Sequence, residues 1–60
     1  MSNRKILRVE DTSERTGVPV TTLRWWRHVG TGPKSFKIGR RIAYLEEDVE
    51  AWLDEQYKAS

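Results

Sequence analysis

Every glycine and proline of the 60-residue chain lies between Gly17 and Gly39, and this punctuation limits the fold more than any other feature. Gly17, the run Gly30-Thr31-Gly32-Pro33, and Gly39 cut the chain into four pieces, each suited to one short helix or strand. A chain of this length makes a single small domain, residues 1–60, and buries only about 60% of its unfolded surface. With no cysteine it has neither a disulfide nor a thiolate cage to support a thin core. A large active-site cavity, and with it a small-molecule ligand, is not expected.

The first piece predicts a helix over Val9 to Thr16. Glu10 and Asp11 suit its positive end, and Gly17 suits the left-handed residue that stops it. Its inward stripe, Val9, Thr12, Ser13 and Thr16, is mostly polar, so this helix should be short and weakly held. The second piece, from Pro19 or Val20 to about Val29, is a stronger helix, opened by Pro19 and stopped by Gly30. On a wheel of about 100° per residue Leu23 and Trp26 point inward. Thr21, Arg24, Trp25 and His28 point outward, with Thr22 and Arg27 on the flanks.

Phe36-Lys37-Ile38 and Ile42-Ala43-Tyr44 alternate like half-buried strands around Gly39. If all four large apolar residues share one face, Ile38 pairs with Ile42 and Phe36 with Tyr44. That register predicts a three-residue loop with Arg40 and Arg41 at its tip. The last piece, about Glu46 to Gln56, begins with three acids and carries Val49, Trp52 and Leu53 at helical spacing. The fold class expected is α+β: three helices with a small two-stranded hairpin, which the resemblance described below makes a winged helix-turn-helix with the hairpin as its wing. Its expected core is Val18, Leu23, Trp26, Phe36, Ile38, Ile42, Tyr44, Val49, Trp52 and Leu53, with Leu7 and Val9 as further candidates.

Net charge is only +2, but the charges are segregated. Between Arg15 and Tyr44 there are seven bases and no acid; from Leu45 to Ser60 there are six acids and one base. Such a block suggests a surface for a polyanion beside an acidic face. Residues Met1 to Lys5 lead into no signal-like apolar stretch, and no apolar run could span a bilayer, so the expected compartment is the cytoplasm, without a membrane partner.

Enzyme chemistry finds no constellation. His28 is the sole histidine, and Thr21 and Thr22 precede it by about two helical turns, too far to form a nucleophile and base pair. One histidine among dispersed carboxylates lacks metal-ligand spacing, and no cofactor motif is present. A helix-turn-helix, by contrast, offers the outward face of its second helix to the major groove of DNA. Arg24 can fork onto a guanine edge or a phosphate, Thr21 and Thr22 can bond phosphates or touch a thymine methyl, and His28 suits a phosphate. Trp25 has two readings, covering a sugar-phosphate stretch or packing on the N-terminal arm. Arg27 likewise either pairs an acid of the first or third helix or touches DNA. Arg40 and Arg41 at a hairpin tip suit a narrow minor groove, and Lys34 and Lys37 lie on the same hairpin. A protein-interaction domain anchored by Trp25, binding no DNA, is the reading from another class.

The run Gly17-Val18-Pro19-Val20-Thr21-Thr22-Leu23-Arg24-Trp25-Trp26-Arg27-His28, the turn Thr31-Gly32-Pro33, the tip Gly39-Arg40-Arg41 and the stretch Asp48-Val49-Glu50-Ala51-Trp52-Leu53 resemble the excisionase and AlpA-like group of small MerR-type winged-helix proteins. The likeness covers roughly residues 7 to 55. It implies that the second helix reads the major groove through Thr21, Thr22, Arg24 and Trp25, and that the hairpin wing, through Arg40 and Arg41, meets a minor groove or phosphates. It also implies an excisionase role: several copies bind repeats in an attachment region, bend the double-stranded DNA, and turn a phage tyrosine integrase toward prophage excision in a bacterial host cell. Transcriptional regulators share the scaffold and form the alternative. The chain departs from the pattern at helix one, where Arg8 stands in place of a Ser or Thr cap. It also ends at Ser60, before the long dimerisation helix of MerR sensors, which disfavours ligand sensing.

Overall fold

The structure, a computed structural model, describes residues 5–60. Three helices and three strands follow in the order β1 (Ile6–Arg8), α1 (Val9–Thr16), α2 (Val20–Val29), β2 (Phe36–Ile38), β3 (Arg41–Leu45) and α3 (Glu46–Ala59). The class is the α+β winged helix-turn-helix expected, with one enlargement. The sheet has three antiparallel strands in the order β1-β3-β2, rather than the two of a lone hairpin. β1 is only three residues long and runs straight into α1, too short for any periodicity to announce it. Pairing Leu7 with Tyr44 sets both on the helix side of the sheet, and the Glu46 N–H donates to the Lys5 carbonyl at 2.9 Å just beyond.

α1 solves its polar stripe locally. Thr12 is fully buried, and its hydroxyl donates to the Arg8 carbonyl at 3.0 Å; the Thr16 hydroxyl donates to Thr12 O at 2.7 Å and accepts the Val18 N–H at 3.2 Å. Buried hydroxyls bonded in this way escape the desolvation penalty of an unpaired group. The Arg8 N–H donates to Asp11 Oδ2 at 3.3 Å, which is half of a capping box; arginine has no acceptor to return the other half. The helix is not left unattached, because Arg15 bridges it to α3 through Glu46 at 2.9 Å and through Glu50.

α2 begins at the Pro19 cap, where the Leu23 N–H bonds the Pro19 carbonyl at 3.0 Å, and ends at Gly30. Its inner face buries Leu23 completely and lays Trp26 against Trp52 of α3, ring centroids 5.7 Å apart. The turn that follows depends on Gly32. Its φ is +78°, and a Cβ there would stand 2.6 Å from Trp26 Cε3.

The hairpin register differs from the expected one. Phe36 pairs with Ala43, Lys37 with Ile42 and Ile38 with Arg41, leaving a two-residue turn of Gly39 and Arg40. Gly39 has φ +62° and Arg40 does not have a positive φ, the sign pattern of a type II′ hairpin turn. The expected register assumed that a pair of Ile38 with Arg41 would bury charge. Instead that pair faces away from the helices, with Ile38 52% exposed, and only Arg40 occupies the tip. β3 is tied on both sides, and the pairing of Tyr44 with Leu7 turns Tyr44 and Ile42 inward.

The core cluster is Leu7, Val9, Leu23, Tyr44 and Val49, with Val18, Val20, Trp26, Ile42 and Leu53 packed around it. Phe36 and Trp52 are half-buried outside that cluster, and Ile38 leaves it altogether. α3 runs to Ala59 rather than Gln56, since no breaker interrupts it and the Lys58–Asp54 pair, 3.0 Å apart, supports its last turns. Among the described residues no helix is long and apolar enough to cross a membrane. The expectation about residues 1–4, like the packing of Trp25 on the N-terminal arm, lies outside the described residues.

Candidate nucleic-acid interface

Arg24, Arg27 and His28 stand at i, i+3 and i+4 on α2 and so share one stripe of its surface. The β2–β3 wing rises beside that stripe and encloses with it a concavity of about 620 Å³. Arg8, Arg24, Arg27, His28, Lys37, Arg40 and Arg41 line it over a floor of Val9 and Ile42, and Glu10 is its single carboxylate. Residues from β1, α1, α2 and the wing, distant in sequence, therefore converge on one strongly positive cleft.

Of the residues expected at the site, Arg24, Arg27, His28, Lys37, Arg40 and Arg41 are brought together here. Thr21 is exposed and Thr22 half-buried in the first turn of α2, outside the cleft but on the same helix. Lys34 is exposed ahead of β2 and does not line the cleft. Trp25 is 60% exposed beside it, its ring leaning on His28 with centroids 5.8 Å apart and planes 31° apart. Arg41 belongs to β3, not to the tip. Arg15, counted with the basic block in the sequence, faces the other way and is held by α3. Its hydrogen bond to Glu50, with the charge of Glu46 added, pushes its pKa still higher against a smaller effect of burial.

Arg8 and Glu10 have no site role legible in the sequence, because their place in the cleft depends on β1 pairing with β3. The one available signal was the alternation Ile6-Leu7-Arg8, three residues against a helix start.

Arg27 is the unusual group. Its Nε is buried and has no hydrogen-bond partner among the described residues. The ion pairs of Arg15 with Glu46 and Glu50 and of Lys58 with Asp54 lie elsewhere and do not involve it. Its charge is felt at Tyr44, whose hydroxyl is raised by burial above its ordinary 10.0 while Arg27 pulls it back down.

A two-helix unit that exposes a cationic stripe, flanked by an arginine-tipped β wing, defines a DNA-binding domain of the winged helix-turn-helix class. The family model described as a helix-turn-helix domain matches residues 6–57, and the chain belongs to that family. Neither a curated protein nor a solved structure matches the chain.

Proposed function

We propose that the protein is a sequence-specific, DNA-bending excisionase, an accessory factor that directs a phage tyrosine integrase toward excision. α2 enters the major groove and reads it through Thr21, Thr22, Arg24 and Trp25, with His28 on a phosphate. Arg40, at the wing tip, enters the neighbouring minor groove. The observation that supports this most is the convergence of the α2 stripe and the wing on one cleft with six Arg and Lys side chains and a single carboxylate. The recombination role is supported by the resemblance of residues 7 to 55 to excisionases. A domain this small covers few base pairs, so specificity calls for several copies side by side on repeated sites.

A gel-shift titration on attachment-region DNA tests the reading. Stepwise, cooperative complexes are expected, with log affinity falling against log salt at a slope of about −4 to −5 for about five phosphate contacts. Recombination products should change when integrase is present. A chain that alters only transcript levels is a regulator, and one that binds all sequences alike at low salt loses the sequence-specific role.

A further inference from the structure

We propose that the cleft between α2 and the wing is a seat for one sugar-phosphate strand of the duplex, whose phosphate draws the buried Arg27 Nε–H outward as its donor. The inference rests on the DNA reading above and goes further by assigning the cleft an occupant and Arg27 a role in holding it. If α2 lies in one groove and Arg40 in the next, the two must straddle the strand that divides those grooves, and the cleft is the space left between them.

Its chemistry fits that occupant. A phosphodiester brings one negative charge and two unbridged oxygens that accept hydrogen bonds, and a guanidinium can meet both side-on through Nε and Nη. Arg24, Lys37 and Arg41 surround the site with further positive charge. A buried donor without a partner is rare enough to require a reason, and the crowding of like charges in the free protein is one that an incoming anion removes.

Because backbone contacts are independent of sequence, a short duplex of arbitrary sequence at low salt is a sufficient probe. The full chain is compared with Arg27→Met and Arg27→Lys by duplex titration, thermal melting, and the ¹H–¹⁵N resonance of the Arg27 Nε–H. Arg27→Met should melt no lower than the parent, since a flexible apolar side chain of similar reach replaces an unpartnered donor. It should bind the duplex about tenfold more weakly, with a salt slope shallower by about 1. Arg27→Lys keeps the charge but sets a methylene where Nε stands, so it should restore the slope and only part of the affinity. The Nε–H resonance of the parent should move when duplex is added.

A methionine variant that binds like the parent overturns the proposal. If that variant loses both stability and affinity, the resonance decides: movement with duplex upholds the seat and no movement overturns it. A resonance that responds to protein concentration but not to duplex would mean that the acidic surface of a second copy occupies the cleft, and overturns it equally. Failure of the DNA reading itself is seen separately, as a parent chain that binds no duplex at all.

Discussion

Arg15 and Arg27 are both arginines near the C-terminal ends of adjacent helices, and their surroundings are opposite. Arg15 leaves α1 toward α3 and meets two carboxylates, Glu46 and Glu50. Arg27 leaves α2 toward the wing and meets other cations, with its Nε unpartnered among the described residues. The chain carries 11 Lys and Arg against nine Asp and Glu, enough acid to neutralise most of its base. It places six of those acids in α3, and the cations of the cleft have one carboxylate beside them. Charge on the α1–α3 side is used for holding helices together. Charge on the α2–wing side is left open, which stabilises nothing in the free protein and is available to a polyanion.

The comparison breaks if the two sides can be disturbed only together, and the largest effects come from the core they share. Leu23, 1% exposed, lies beneath both, and Leu23→Ala should cost about 2–5 kcal/mol in a denaturant melt, removing DNA binding with the fold. Gly32→Ala should cost less, about 1–3 kcal/mol, by forcing a side chain into a positive φ and against Trp26. A Gly32→Ala protein as stable as the parent would show that Trp26 is free to move away.

These elements differ in how openly the sequence carries them. The C-terminal ends of α1 and α2 are legible because Gly17 and Gly30, both in the left-handed conformation, set them locally. The inward positions Leu23 and Val49 follow from helical spacing, and the cationic stripe Arg24, Arg27 and His28 from the same wheel. What fails is whatever depends on a distant partner. The two hairpin strands alone favour a three-residue loop, but β3 is oriented by Leu7, which comes 37 positions before its partner Tyr44. Arg15 looked like one more base in a basic block, and its partner Glu50 lies 35 residues further on. Arg8 enters the cleft for the same long-range reason.

The two sides separate most clearly at the surface. Arg40→Ala should weaken duplex binding about tenfold and flatten the salt slope by about 1, with the melting transition unchanged, since Arg40 is exposed at the turn. Arg15→Met should do the reverse. It should lower the melting transition by less than Gly32→Ala does, as expected for a partly exposed pair, and leave duplex affinity and salt slope as they were. An Arg15 variant with impaired DNA binding would merge the two sides into one surface.

The smallest effect concerns Tyr44, which lies between the core and Arg27 and can report on both. Burial raises its pKa above 10.0, so the folded protein holds the phenol proton more tightly than the unfolded chain does. The stability this gives is fully present below the unfolded value and is lost as pH rises through the folded one. The parent should therefore weaken on the alkaline side relative to Tyr44→Phe, while the two stay close at neutral pH. Arg27 opposes the shift, because a nearby cation favours the phenolate. Replacing Arg27 with methionine should then move the Tyr44 titration, followed by the NMR shift of its ring carbon, to still higher pH. A Tyr44 titration indifferent to Arg27 would mean that the guanidinium charge is directed wholly outward, so that the cleft and the core are electrostatically separate.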